Sequence, residues 1–303
     1  MSQPTYDLIV IGEGIAGLTA AGDAARAGFK VATFEANLLG GLVLNVAELE
    51  GYPGDRTASG ADLAAGLLQA NAELGVASVQ EAVTAIKPGS VGFEALAGGA
   101  RYSARRVIAA CGAQLKKLGV PGEREFEGRG VSQCADCDGP LYQNEEVVVV
   151  GGGDAALQEA TVLSHYCGRV RLVHRGERFR ARRTWIERVN ANPKISIMWN
   201  IAVEGIFGDK MVEKVRVRDT RDGRVTELPC AGIFAYIGIE PNAACLPPDA
   251  RRDDRGFVLT GSDFQSSVPG LWAIGAVRSG YSGLLQDAVA EARRAARAAG
   301  ALQ

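Results

Sequence analysis

The sequence carries almost no net charge: 33 Lys and Arg are set against 35 Asp and Glu, a formal balance of −2. A field that weak favours neither nucleic acid nor an anionic membrane surface. Long apolar runs are missing too. No stretch reaches the ~18 residues that span a bilayer, and the apolar segment after the first strand is broken by Asp23 and Arg26. The opening M-S-Q-P-T-Y-D lacks the basic and then apolar pattern of a secretory signal, so a cytoplasmic location is the expectation. Cysteine is sparse for a disulfide scaffold, with six in 303 residues. Cys111, Cys167, Cys230 and Cys245 stand apart and read as small buried hydrophobes with reduced thiols. Only Cys134 and Cys137 are closely spaced, in Q-C-A-D-C-D-G-P. Such a pair can bind zinc, shuttle electrons as dithiol and disulfide, or fill space. A structural zinc site needs four ligands. There is no second C-x-x-C, and His165 and His174 belong to another segment, so the zinc reading carries little weight.

Glycine, by contrast, is abundant at 39 residues and clusters at strand ends. The chain opens with an apolar run, Gly12-x-Gly14-x-x-Gly17, a helical stretch, and a second apolar run ending at Glu35. That order predicts a buried parallel strand, a tight turn and a helix. Gly12 permits the turn, Gly14 lets backbone approach a pyrophosphate, and Gly17 lets the helix pack on the strand. The helix N-terminus offers free N–H groups to the phosphates. Glu35 stands where a carboxylate accepts from a ribose diol. The unit recurs at residues 146–175, where Gly151-x-Gly153-x-x-Ala156 follows a β-branched strand. Its second strand ends in His174 and Arg175, a pairing that suits a 2′-phosphate rather than a free diol. Arg182 and Arg183 read as solvated surface charges.

Between the units, V-G-F-E-A-L and the stretch ending A-C-G-A fit a small antiparallel sheet and a returning strand. L-G-V-P-G-E at 118–123 reads as a linker, and Y-I-G-I-E-P-N at 236–242 as a second crossing. A last strand ends in glycine at 275, and an alanine-rich helix follows, with a stripe through Leu285, Val289 and Ala292. One α/β nucleotide-binding unit, residues 114–243, is thus expected inside another built from 1–113 and 244–303.

This ordered set of motifs resembles the low-molecular-weight thioredoxin reductase family of flavoproteins over nearly the whole chain. The matching pieces are Gly12 to Gly17; Gly40-Gly41; Tyr52-Pro53-Gly54; A-C-G-A at 110–113; G-R-G-V-S-Q-C-A-D-C-D-G at 128–139; G-G-G-D-A-A at 151–156; H-R-G-E-R-F-R-A at 174–181; I-G-I-E-P-N at 237–242; and V-P-G-L-W-A-I-G at 268–275. The resemblance implies two Rossmann-like, three-layer ββα domains, with the nicotinamide-nucleotide domain inserted into the FAD domain. FAD contacts are implied at Gly12, Gly14, Ile15, Ala16 and Gly17; at Glu35 and Ala36; at Gly40, Gly41, Leu42 and Asn45; at Ala110, Cys111 and Gly112; and at Gly275, Ala276, Gln286, Asp287 and Ala288. NADPH contacts are implied at Gly151, Gly153, Asp154, Ala155 and Ala156, at His174, Arg175 and Arg180, and at Ile237. Electrons would pass from NADPH through FAD to Cys134–Cys137 and on to thioredoxin or a related small redox protein. The same likeness implies that Cys137 faces the flavin, Cys134 attacks the substrate and Asp138 is the acid/base. A homodimer, and rotation of the inserted domain about its linkers, are also implied.

The departures from the family lie around the cofactors. Gly275-Ala276 stands where the family has Gly-Asp, and G-Y-S-G-L-L-Q-D-A at 280–288 replaces its Arg-Gln-Ala. Gln286 to Ala288 are still expected to present backbone N–H groups to the flavin. Leu42 replaces a Gln, and Gly51 an Asn. One of two adjacent arginines is missing at Gly176, a loss of about 1.5–3 kcal/mol of 2′-phosphate contact. Asp136 adds a charge beside the thiols that disfavours thiolate. Three alternatives therefore stay open: another electron donor, a dithiol oxidase, or a redox- or nucleotide-sensing protein without turnover.

Overall fold

The computed structural model describes residues 5–46, 49 and 59–301. Along the chain the elements are β1 (Thr5–Ile11), α1 (Ile15–Arg26), β2 (Val31–Phe34), α2 (Gly60–Glu73), β3 (Ala77–Val79), β4 (Val83–Gly89), β5 (Gly92–Ala97), β6 (Ala100–Ala109) and β7 (Ala113–Leu115). Then come β8 (Val131–Ser132), α3 (Ala135–Asp138), β9 (Glu146–Gly151), α4 (Asp154–Tyr166), β10 (Arg169–His174), α5 (Arg183–Ala191) and β11 (Ile195–Trp199). The remainder are β12 (Ile201–Gly208), β13 (Val212–Asp219), β14 (Val225–Pro229), β15 (Gly232–Tyr236), β16 (Ile239–Pro241), β17 (Leu271–Ala273) and α6 (Leu285–Ala301).

They form two units. The first comprises Met1–Gln114 with Glu240–Gln303, the second Leu115–Ile239. In the first, β3-β2-β1-β6-β5-β4 make one sheet. β6 is long enough to serve two neighbours on one edge. Ala100–Ala104 pair antiparallel with β5, and Val107–Ala109 pair parallel with β17. The strands are buried on both faces, which explains their unbroken apolar runs. Successive side chains of β1 alternate: Ile9 and Ile11 join Phe93 and Ala95 of the β4–β5 meander, while Leu8 and Val10 join Ala20 and Ala24 of α1 and Ala292 and Ala295 of α6. The result is helices, parallel sheet and meander in three layers.

The second unit repeats the scheme. β11-β10-β9-β15-β8 form an all-parallel sheet, and β12-β13-β14 an antiparallel one. In β9, Val147 and Val149 pack with Leu157, Ala160 and Leu163 of α4. Val148 and Val150 pack with Val215 and Val217 of β13. The antiparallel layer completes the three-layer ββα arrangement that the resemblance implied; its strands were not located from the sequence, although β13 reads V-E-K-V-R-V-R-D with a half-buried alternation.

The crossings β7 and β16 run side by side as a two-stranded sheet. The expected boundary at 243 moves to Ile239, because Asn242 is bound into the first unit through its N–H to the Gly112 carbonyl and its Nδ2 to the Cys111 carbonyl. Residues 118–123 are not a linker. Glu123 is buried, its carboxylate accepting the Leu118 and Gly119 N–H groups at 2.7 Å each, and Pro121 accepts the N–H of Ile206 in β12.

Candidate functional site

Cys134 and Cys137 are joined as a disulfide. They bracket the single turn α3, whose N-cap is Cys134. Cys137 is exposed and Cys134 half-buried. The turn is held from below and from the side. The Cys137 N–H donates to Cys134 Sγ, and the Cys134 N–H to Ser132 Oγ. Ser132 Oγ–H in turn donates to Asp138 Oδ2 at 2.6 Å, so the carboxylate next to the sulfurs is fixed in place. From α4, Glu159 accepts the Ala135 N–H, and Tyr236 O–H, at the end of β15, donates to the same oxygen. Burial raises Glu159 above the ordinary carboxylate range, and the charge of Asp136 adds to it. Burial also raises Tyr236. Ser132, Glu159 and Tyr236 were absent from the sequence reading. Glu159 left one trace, an acid among the alanines and leucine of an otherwise apolar-faced helix. Among the described residues no group of three or more His, Cys, Asp or Glu is placed to hold a metal ion.

In the first unit, four distant stretches meet at the turn between β1 and α1. Gly12 has φ +101°, and a Cβ there would lie 2.4 Å from the Ala110 carbonyl oxygen and 3.0 Å from the Cys111 Cα. A Cβ on Gly17 would lie 1.9 Å from the Gly12 oxygen, so only glycine lets α1 sit this close. Gly14 bridges to Gly40, and Gly41 lies against Gly14. Gly275 packs on Ala16. The N-cap of α1, Gly14, receives no side-chain hydrogen bond, and its Cβ direction is open apart from the Gly40 oxygen at 3.8 Å. That bare backbone fits a pyrophosphate. Glu35 accepts the N–H groups of Glu13 and Asn37 at 2.9 Å each and keeps further acceptor capacity for a diol. Ala36, next to it in the chain, and Leu42 are exposed, and Ile15 shares a small core with Val43 and Val289.

At the far end, Gln286, Asp287 and Ala288 form the first turn of α6, but two of their N–H groups are already used. The N–H groups of Asp287 and Ala288 donate to the Leu284 carbonyl, because the helix is entered through Leu284, leaving Gln286 as the donor without a partner among the described residues. Where the family carboxylate is missing at Ala276, the Gly275 N–H is taken by Glu291, which also pairs with Arg278. The Asn45 side chain, Gly51 and Tyr52-Pro53-Gly54 lie outside the described residues.

In the second unit, Gly151, Gly152 and Gly153 turn β9 into α4. Ala156 is fully buried behind Gly151, and Ala155 is exposed. Gly153 caps α4 with no side-chain hydrogen bond and an open Cβ direction, again a bare cradle for phosphate. Asp154 is not free: its carboxylate binds the N–H and guanidinium of Arg182. Arg183 pairs with Glu187 along α5. Arg175 and Arg180 are exposed and have no carboxylate partner among the described residues. Both lie near His174, which is buried between the Gly152 backbone and the rings of Phe179 and Trp199. Burial lowers the His174 pKa, backbone hydrogen bonds oppose this, and the Arg180 and Arg175 charges reinforce it. Two free guanidiniums beside a neutral imidazole and a bare glycine turn fit a phosphorylated nucleotide. Ile237 is exposed just after β15.

Residues 6–294 match the model of the pyridine nucleotide-disulphide oxidoreductase family. The chain belongs to that family. Within it, the chain is 40% identical to the thioredoxin reductase of Treponema pallidum (strain Nichols) over 278 residues, 91% of this chain and 90% of the relative. Among solved structures it superposes on the Lactococcus lactis thioredoxin reductase in the FR conformation with a TM-score of 0.91 at 34% identity, covering 97% and 98% of the two chains. It superposes on the T. acidophilum thioredoxin reductase with a TM-score of 0.88 at 31% identity, covering 98% of each chain. The family resemblance carried by the motifs therefore extends through the fold.

Proposed function

We propose that this family member is an FAD-dependent disulfide reductase of the thioredoxin reductase type, with NADPH as donor and thioredoxin or a related small redox protein as acceptor. The observation that carries the reading is the Cys134–Cys137 disulfide, held beside an acid by Ser132 and set in the same unit as a second nucleotide turn. When bound, FAD relays an electron pair from NADPH to that disulfide. The residues do the rest. Two electrons cleave the Cys134–Cys137 bond to a dithiol. Cys134 attacks one sulfur of the partner disulfide, forming a mixed disulfide and expelling the other sulfur as a thiolate. Cys137 then attacks Cys134, re-forming the internal bond and releasing the reduced partner. Asp138, oriented by Ser132, supplies or takes the proton as each thiolate leaves or returns.

FAD is assigned to the Gly12 turn and Glu35, and NADPH to the Gly153 turn with Arg175 and Arg180. Because the cysteines and the NADPH turn share a unit, both must reach one flavin in succession, and β7 and β16 are the pivots of that rotation. Among the described residues no helix is long and apolar enough to cross a membrane. A cytoplasmic homodimer is part of the same reading, supported by the resemblance to the thioredoxin reductases.

Anaerobic titration tests the proposal. NADPH is expected to bleach the bound flavin, and oxidised thioredoxin to restore its colour. A Cys137→Ser protein should still bleach yet turn over no disulfide. Absence of bleaching by NADPH sinks the donor assignment; disulfide turnover by the serine variant sinks the role of the cysteines.

A further inference from the structure

The family reading uses one cysteine pair, but the structure brings a second together in the first unit. Cys111 precedes the crossing β7, and Cys245 follows the crossing β16. The Asn242 N–H donates to the Gly112 carbonyl and its side chain to the Cys111 carbonyl, so the segment leading to Cys245 runs along the segment holding Cys111. The Cys245 carbonyl is fixed by the Ile86 N–H at 2.7 Å. Both side chains pack at the rim of the same core cluster, and both are half-buried rather than sealed. The other two free thiols, Cys167 and Cys230, are buried.

The surroundings distinguish the two sulfurs. Arg252 donates to the carbonyls of Ala243 and Leu246, on either side of Cys245, at 2.9 and 3.2 Å. Its cation is therefore anchored beside that thiol. The interaction with the Cys111 thiol holds Cys245 below the ordinary thiol range against the effect of burial, with Arg252 adding to it. Cys111 is pushed up, first by Cys245, then by burial, with the charge of Glu35 contributing. Burial drives Cys167 up to about 11 and Cys230 up to about 12. A half-exposed, low-pKa thiol next to a resolving thiol is the pattern of a peroxide-reactive pair.

We propose that Cys245 and Cys111 form a second redox pair, oxidised by hydrogen peroxide to a reversible disulfide on the back of the Gly12 turn. The Cys245 thiolate attacks a peroxide oxygen. An S–O bond forms, the O–O bond breaks, and hydroxide leaves to take up a proton as water. Cys111 then attacks the sulfenic sulfur; an S–S bond forms, and the hydroxyl departs as water with the Cys111 proton. The peroxide gains two electrons and the pair loses two. The disulfide ties together the ends of the two crossings on the first unit. This inference is independent of the thioredoxin reductase assignment, since its readout is thiol chemistry rather than turnover.

The test uses the full-length, flavin-loaded chain carrying Cys134→Ser and Cys137→Ser, reduced with dithiothreitol, desalted and exposed to a small excess of hydrogen peroxide at neutral pH. Peptide mapping should find a Cys111–Cys245 cross-link that dithiothreitol reverses, with Cys167 and Cys230 reacting about tenfold or more slowly. In a Cys111→Ser chain, dimedone should trap a sulfenic acid at Cys245. Arg252→Leu should slow oxidation of Cys245 several-fold, and Arg252→Lys should restore most of the rate. Equal reactivity of all four thiols overturns the activated thiolate. Accumulation of sulfinic acid at Cys245 with Cys111 still free overturns the pairing.

Discussion

At the residue scale, the chemistry near the disulfide depends on a short chain of hydrogen bonds. Asp138 is held by a 2.6 Å bond from Ser132, and Ser132 also accepts the Cys134 N–H, so one hydroxyl aligns both the proton carrier and a sulfur. Replacing Asp138 by Asn keeps the shape and removes the exchangeable proton. Disulfide turnover is expected to fall on the order of 100-fold, the lower range for a lost acid/base. Flavin bleaching by NADPH should be unchanged, and stopped-flow absorbance with a steady-state thioredoxin assay separates the two. Ser132→Ala should give a smaller loss with the same split. His174 supports a different measurement. Its pKa is lowered in the folded state by burial, while in the unfolded chain it titrates near the ordinary value of about 6.5. Above that pH both states are neutral there and stability does not depend on it. As pH falls below about 6.5 the unfolded chain binds a proton that the folded chain resists, so stability drops. Thermal unfolding from pH 7.5 to 5.5 should show a shallower decline for His174→Gln than for the parent. An equal decline rejects His174 as the source.

At the scale of elements, the glycine turns were legible because each is written in a few adjacent residues between a strand and a helix. The sequence reading of Gly12, Gly14 and Gly17 needed no distant partner; in the structure Gly12 and Gly17 each have a separate steric reason, while Gly14 leaves the space in front of the turn open. The network under the cysteines was not legible, because its members come from different elements. Tyr236 reaches Glu159 across 77 residues of sequence, and only folding of β15 beside α4 brings them together. Likewise, no pattern within Gln286 to Ala288 revealed that Leu284 would occupy two of their N–H groups. Gly17 gives the sharpest test of an element. An alanine there has its Cβ 1.9 Å from the Gly12 oxygen, and that oxygen is backbone, so either the turn or α1 must move. Such overpacking costs about 1–3 kcal/mol, and it falls on the cradle itself. Gly17→Ala should therefore purify with little or no flavin, read from the ratio of visible to ultraviolet absorbance. By contrast, Gly66→Ala on α2, whose Cβ meets nothing within 4 Å, should retain it. Full flavin content in Gly17→Ala would show that the close helix approach is not what forms the site.

At the scale of the molecule, the insertion was readable because the same strand–glycine–helix unit occurs twice and the flanking segments complete only the outer one. What the sequence left unread was how completely each unit closes on itself. Every buried residue of the two clusters around β9 falls between Phe126 and Tyr236, inside Leu115–Ile239. Those around β1 fall outside that range. The second unit also has a parallel sheet with helices on one face and an antiparallel sheet on the other, so neither face of β9 depends on the first unit. A chain of this length, about 125 residues, is of ordinary domain size. Residues 115–239 expressed alone should then fold cooperatively, with a single thermal transition and dispersed amide resonances. The isolated unit keeps the Gly153 turn, Arg175 and Arg180, and it should bind NADP⁺ more tightly than NAD⁺ by about tenfold or more, the contribution of charge-assisted contacts to a 2′-phosphate. It should bind no flavin, because Gly12, Glu35 and Gly275 stay behind. Its Cys134–Cys137 disulfide should be reducible by dithiothreitol and not by NADPH, since the route from nicotinamide to sulfur runs through the missing flavin. Reduction of that disulfide by NADPH in the isolated unit would overturn the flavin relay, and failure to fold would show that the crossings β7 and β16 contribute more than a connection.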